Sequence, residues 1–205
     1  MKQDEKKIIL NEMIKIIPFD GINDKTLLKA CTRLNLVNSF CKFQNGIYDI
    51  LEHIAEDLNS SAETKLKNYN LENMKVRERV KLAVLIHLSS YASLPNYREF
   101  LKKILKFSIL PKNTYFSSRL LYKTVSTIWY MVYDQSTDFN FYTKRAILAG
   151  IYLSTILFFI NDYSENFVDT ISFLDKRINN VITFQKVKIY LRKIAKNFLC
   201  FPYHN

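Results

Sequence analysis

The residues able to do chemistry are few, and their spacing argues against catalysis. The histidines are His53, His87 and His204. A di-iron carboxylate centre on a helical bundle needs a glutamate three residues ahead of its histidine, so that both reach one metal. The residues at those positions are Ile50, Val84 and Phe201. Cys31, Cys41 and Cys200 are odd in number and form no CxxC pair, which fits a reduced cytosolic compartment. Asp134 and Asp138 flank a turn, and Asp162 with Glu165 could supply a second acidic pair. A magnesium–diphosphate site would need such carboxylates to converge from two helices. The simpler reading makes Ser136, Thr137 and Asp138 caps for the helix that follows, and Asp162 and Glu165 caps for the next. No glycine-rich phosphate loop or Gly-x-Ser-x-Gly elbow occurs. The expectation is a protein that is not an enzyme and uses neither metal nor cofactor.

The elements that must position these residues are helices. Three glycines and four prolines in 205 residues are too few for the turns of hairpins and barrels, and 48% hydrophobic residues can build a core. Apolar spacing predicts helices over Glu5–Ile17, Lys25–Leu34 with Asp24 as cap, and Ile47–Leu58, with a short element at Val37–Phe43. The polar stretch Asn59–Asn70 reads as a linker. Further helices follow at Leu71–Leu88, from Pro95 to near Pro111, Asn113–Tyr133, Phe139–Ile160, Ser164 to about Ile182, and Gln185–Leu199. On the helix from Leu71, His87 shares the apolar face of Val76, Val80, Ala83 and Val84, which makes it a packed core residue. In their order, the helices of residues 1–60 resemble a TetR-type helix-turn-helix unit, followed by a larger helical body. Residues 1–60 carry 8 basic and 9 acidic groups, so phosphate repulsion is not offset there and no nucleic acid is expected.

Two segments suggest lipid. Ala146–Ile160 is apolar nearly all round, and its 15 residues fall short of the roughly 20 that span a bilayer. It reads as a buried central helix. Gly150 within it costs about 1 kcal/mol relative to Ala, which implies close approach by another helix or a ligand. At the C-terminus, Val187, Tyr190, Leu191, Ile194, Phe198 and Phe201 share one helical face. Lys186, Lys188, Arg192, Lys193 and Lys196 lie on or flank the other, and residues 181–205 contain no acid. That pattern suits either an interfacial helix or one docked on the body with its basic face in water.

The string Asp134–Arg145, DQSTDFNFYTKR, lies within a longer match over Trp129–Tyr152 and resembles the ubiquinone (coenzyme Q) biosynthesis protein nine family. The later Asp169–Ile178, DTISFLDKRI, and Val76–Val80, VRERV, are similar to other segments of that family. The departures are Phe141 and Ile171, where the family commonly has tryptophan. The resemblance implies an all-α, TetR-like fold without DNA binding, usually a homodimer. It implies three parts: residues 1–60 as the helix-turn-helix remnant, 61–184 as the lipid- and partner-binding body, and 185–205 as an amphipathic membrane-contact helix.

It further implies an isoprenoid or phospholipid ligand, a peripheral position on the inner membrane, and a partner, the di-iron demethoxyubiquinone hydroxylase. The expected lipid-lining residues are Trp129, Ile147, Gly150, Ile151, Tyr152 and Thr155. The expected partner patch is Asp138, Phe139, Asn140, Phe141, Tyr142 and Arg145. Its aromatics are spaced about 100° apart, so at least one should be exposed. Membrane contact falls to Val187, Tyr190, Leu191, Ile194 and Phe198 with Lys188, Arg192, Lys193 and Lys196.

Overall fold

The computed structural model describes residues 3–134 and 139–181, and those residues are helices and connections without a strand. Helix α1 (Gln3–Asp20) buries Ile9, Leu10, Met13, Ile16 and Ile17 and leaves Ile8 outside. It runs through Pro18 and stops at Gly21, whose φ of +84° is left-handed and whose N–H donates to the Ile17 carbonyl. Helix α2 (Asp24–Arg33) is capped by Asn23, whose Oδ1 accepts from the Thr26 N–H at 3.0 Å.

Asp24, the cap expected from sequence, works elsewhere. Its Oδ1 accepts from the Ile47 N–H at 2.8 Å and so caps α3 (Ile47–Leu66), 23 residues downstream. Gly46 stands between them at φ +56°, and a Cβ there would collide with the Asp24 carboxylate. Where a TetR-type reader would carry a full helix, Val37–Lys42 forms only a 3-10 turn.

The expected linker is helical over residues 59–66, and only 67–70 lie in the connection to the next helix. Helix α3 continues to Leu66 because Leu58, Ala62 and Leu66 recur on one face and are all buried, which outweighs the weak helix propensity of Asn59, Ser60 and Ser61. The boundary expected near residue 60 therefore falls inside a continuous helix. Helix α3 belongs to two cores. Ile47, Ile50, Ile54 and Leu58 pack with α1, α2 and Phe100, while Ala62 and Leu66 pack with the larger body.

That body is α4 (Val76–Ala92), α5 (Tyr97–Ser108), α6 (Pro111–Met131), α7 (Phe139–Phe159) and α8, described over residues 168–181. Pro111, expected to end a helix, opens α6 at its first turn. Asn113 is fully buried there, donating to the Phe107 carbonyl at 2.9 Å and accepting from the Tyr48 hydroxyl at 2.8 Å.

Helix α7 is not central. Leu148, Tyr152, Thr155, Ile156 and Phe159 face the core, whereas Leu153, Leu157 and Phe158 are partly exposed. Gly150 is exposed, and a Cβ added to it would meet no atom within 4 Å. Among the described residues no other element of the chain approaches Gly150 closely.

Between α7 and α8 the chain is pinned by Asp162, which is 4% exposed. One carboxylate oxygen accepts from the Ser164 N–H and hydroxyl, and the other from the Thr170 N–H and hydroxyl, all at 2.5–2.8 Å. Arg98 of α5 donates to the Asp162 carbonyl at 2.6 Å. Burial alone would raise this carboxyl, but the hydrogen bonds from Ser164 and Thr170 outweigh it and hold it at about 2. A depressed carboxyl stabilises the fold above its unfolded value near 3.8, and that stabilisation fades as pH falls towards 2. Asp162→Ala strands buried donors, each costing roughly 1–3 kcal/mol. Thermal melts at neutral pH should show the variant several degrees below wild type, with the difference narrowing below about pH 4.

Candidate lipid-binding site

An apolar cavity of about 440 Å³ lies among α3, α4, α5, α6 and α7, within the range of small-molecule sites. Leu51, Ile54, Ala55 and Leu58 of α3 form one wall, and Phe100, Leu101 and Ile104 of α5 another. Leu120, Leu121 and Thr124 of α6 and Tyr152, Leu153, Ile156 and Leu157 of α7 line it further. Tyr91 of α4 also faces it.

Of the lining residues expected from sequence, Tyr152 alone borders this cavity. Thr155 is fully buried, and its hydroxyl donates to the Ile151 carbonyl at 2.7 Å within its own helix. Ile147 and Ile151 are half-buried off the cavity, and Gly150 faces outward. Trp129 is buried in the body core beneath Lys144, whose Nζ lies 5.3 Å from the ring centroid. Its indole N–H has no partner among the described residues. The wall of α7 is formed by 152, 153, 156 and 157. The expected stripe centres on nearly the opposite side of α7, about 170° round, because an all-apolar helix gives no phase.

The cavity wall carries hydroxyls at Ser108, Thr114, Ser117, Ser118 and Thr124, and a further polar cluster lies behind Tyr152. His87 is 1% exposed, and its Nε2 lies 2.9 Å from Asn59 Oδ1 while its Nδ1 lies 2.8 Å from the Tyr152 hydroxyl. The Tyr91 ring packs edge-on against the imidazole, with centroids 5.5 Å apart. Burial pulls the imidazole from 6.5 down to about 4, so it is neutral at physiological pH. Asn59, read from sequence as linker, is the far end of this chain. A polar residue inside the α3 stripe facing a histidine on an apolar face was the signal that could have revealed it.

The expected partner patch lies at the start of α7. Asp138 is outside the described residues, as are the side chains of Phe139 and Asn140. Tyr142 is 65% exposed, which meets the expectation that one of these aromatics must face solvent. Phe141 is half-buried, with its ring 5.1 Å from that of Tyr142 and the Arg145 guanidinium 3.3 Å above its centroid. Arg145 is corrected from a surface contact to a structural residue. It is 7% exposed, donates to Ser126 Oγ and to the Phe141 carbonyl at 3.1 Å, and sits 3.9 Å from Asp134. Asp134 also pairs with Lys144 at 2.6 Å. Beside Tyr142, a shallow groove of about 320 Å³ runs between α6 and α7, lined by Leu121, Tyr122, Val125, Ala146 and Ala149.

The membrane-contact residues Val187 to Phe198 lie outside the described residues. Among the described ones, no helix is long and apolar enough to cross a membrane. No group of histidine, cysteine and carboxylate side chains there could hold a metal.

These features define an all-helical, TetR-like protein with an apolar cavity in its body. A crystal structure of a TetR transcriptional regulator from Nitrosomonas europaea superposes with a TM-score of 0.66, covering 86% of this chain and 97% of that one at 15% identity, which establishes the fold. Residues 115–185 match the COQ9 family model. The chain belongs to that family. It is 33% identical over 182 residues to the rat protein named ubiquinone biosynthesis protein COQ9, mitochondrial, covering 85% of this chain and 57% of the rat one. Against the Dictyostelium discoideum protein named probable ubiquinone biosynthesis protein coq9, mitochondrial, identity is 27%, covering 88% of this chain and 60% of that one. The chain thus spans somewhat over half the length of these curated relatives.

Proposed function

We propose that this chain is a lipid-binding accessory protein of ubiquinone biosynthesis. It holds an isoprenoid or phospholipid and presents a polyprenylated intermediate to the di-iron demethoxyubiquinone hydroxylase at a membrane surface. The observation that carries this reading is the apolar cavity bounded by Tyr91 and Tyr152, in a chain related to proteins named for ubiquinone biosynthesis. The protein itself is read as non-catalytic. Its acids at 134 and 162 are engaged in an ion pair and a helix cap. The partner patch is Tyr142 with the groove beside it, held in shape by Arg145 and extended by Phe141 and the neighbouring Asp138, Phe139 and Asn140. Exposed Leu153, Leu157, Phe158 and Val168 on α7 and α8 supply an apolar face that a second copy would cover in a homodimer.

The test is affinity for the hydroxylase measured beside the melting temperature. Tyr142→Ala removes an exposed ring and should weaken binding by roughly 2 kcal/mol or more with little change in melting temperature. Phe141→Lys should do the same to binding at a moderate stability cost, since it also removes the ring under Arg145. Unchanged affinity in Tyr142→Ala removes the patch from the proposal.

A ligand-responsive repressor is the second reading, and the fold likeness favours it. Charge opposes it. In the N-terminal part, Lys42 pairs with Glu5, Arg33 with Glu12 and Lys29 with Asp20, so cations a phosphate would need are neutralised within the chain. A gel shift on the DNA upstream of the gene separates the two readings.

A further inference from the structure

Between Glu99 and Asp134 the chain carries no acid, while Lys102, Lys103, Lys106, Lys112, Arg119 and Lys123 fall within that span. Glu99 pairs with Lys102, and Glu52 of α3 pairs with Arg119 and Lys123. Among the described residues, Lys103, Lys106 and Lys112 are left without an ion pair. These three stand about the corner where α5 ends and α6 begins. Beside them, large side chains face solvent: Ile109 is 76% exposed, Leu110 43% and Tyr115 83%. Exposed apolar groups among unpaired cations match an anionic, amphiphilic surface.

The corner is built before anything binds to it. The buried Asn113 side chain donates to the Phe107 carbonyl and accepts from the Tyr48 hydroxyl, which ties the end of α5, the start of α6 and α3 together. The Asn113 N–H donates to the Leu110 carbonyl at 2.8 Å. Little ordering cost therefore attends a contact made by Ile109 and Leu110. The inner side of the same corner is cavity wall. Ile109 borders the cavity, as do the hydroxyl-bearing Ser108, Thr114, Ser117 and Ser118. One segment thus offers apolar and cationic groups outward and hydroxyls to the cavity.

We propose that the α5–α6 corner is a second membrane-docking surface, seated on anionic lipid headgroups, through which lipid passes between the bilayer and the cavity. The passage rests on the reading of the cavity as a lipid site; the docking does not. Charge decides the occupant. The C-terminal residues 181–205 carry five Lys and Arg and no acid, so the unpaired lysines of the corner repel that segment and attract anionic headgroups. With three cations and three large side chains the corner is a weaker contact than the C-terminal segment, and it orients a chain already held at the surface. An amphiphile entering here keeps its polar end by the hydroxyls, nearest the headgroups, and its tail in the aliphatic interior.

The experiment uses the full chain with Ile109→Trp as a reporter, since the native Trp129 is buried and supplies a constant background. On vesicles of phosphatidylglycerol and phosphatidylcholine, the emission of Ile109→Trp should shift to the blue and be quenched by lipid brominated on its acyl chains. On phosphatidylcholine alone the shift should be smaller. Lys106→Glu with Lys112→Glu should slow transfer of a fluorescent fatty probe from the anionic vesicles about tenfold, and leave its uptake from vesicle-free solution unchanged. No shift and no quenching on vesicles with which the chain floats would overturn the docking surface and leave the lipid cavity standing. A shift of equal size on both vesicles would overturn the role of headgroup charge. Insertion with unchanged transfer in the charge-reversed variant would overturn the passage of lipid at this end. A shift produced by the hydroxylase and not by vesicles would assign the corner to a protein partner instead. Failure of the wild-type chain to take up the probe from solution would overturn the cavity reading, and the Ile109→Trp reporter would still decide the docking. Melting curves on the variants confirm that each is folded.

Discussion

Lowering the pH from 7 to 4 is expected to cost the fold about 3 kcal/mol through His87 alone. Burial holds this imidazole at about 4 in the folded protein, against 6.5 when unfolded. Between those values the unfolded chain binds a proton that the folded chain refuses, so stability falls as the medium becomes more acidic and levels off below about pH 4. The groups around the ring are Asn59, Tyr91 and Tyr152, none of which can supply a compensating negative charge near neutral pH. His87→Gln removes the titration but keeps a polar side chain near Asn59 and Tyr152. It should be less stable than wild type at pH 7 by roughly 1–3 kcal/mol, the cost of imperfectly replaced buried hydrogen bonds. The gap should close, or reverse, by pH 4. Urea denaturation at a series of pH values measures both curves, and their difference cancels the surface carboxylates common to the two proteins. Parallel curves would show that His87 is not held neutral.

Removing residues 186–205 is expected to abolish flotation with anionic liposomes. The argument is from composition and spacing. Val187, Tyr190, Leu191, Ile194 and Phe198 recur at helical intervals, and each large side chain fully inserted into an apolar phase contributes about 1.5–3 kcal/mol. The five cations at 186, 188, 192, 193 and 196 add about 1 kcal/mol each near an anionic surface before screening. After the cost of ordering the segment, enough remains for roughly micromolar binding, near −8 kcal/mol. High salt should weaken flotation of the full chain through the cationic part and leave the apolar part. Flotation that survives the truncation would move the membrane contact elsewhere.

Helix order was legible because strong local signals agreed with tertiary packing. α7 was expected at Phe139–Ile160 and lies at Phe139–Phe159, its start marked by the polar sequence ahead of it. α3 was cut short in the reading because Asn59, Ser60 and Ser61 are poor helix formers, whereas burial of Ala62 and Leu66 decides the matter in three dimensions. Asp24 was assigned to the nearer helix because spacing along the chain cannot show that the start of α3 folds back beside it. The cavity was the least legible feature. It is bounded by residues from five helices, and periodicity within one helix tells only that a face is apolar, not whether protein, lipid or solvent lies against it. Gly150 is open for a related reason: among the described residues nothing crowds it, and a glycine in one helix does not say which element, if any, lies against it.

The central claim is that the cavity among α3 to α7 holds lipid, and native mass spectrometry of the purified chain beside Ala55→Trp tests it most directly. Ala55 is half-buried on the α3 wall, so an indole there fills space that is empty rather than displacing core. The wild-type protein should carry an adduct of isoprenoid or phospholipid mass, and Ala55→Trp, folded by its melting curve, should carry little or none. Wild-type protein found only as the bare chain, or an adduct retained in full by Ala55→Trp, would contradict the account.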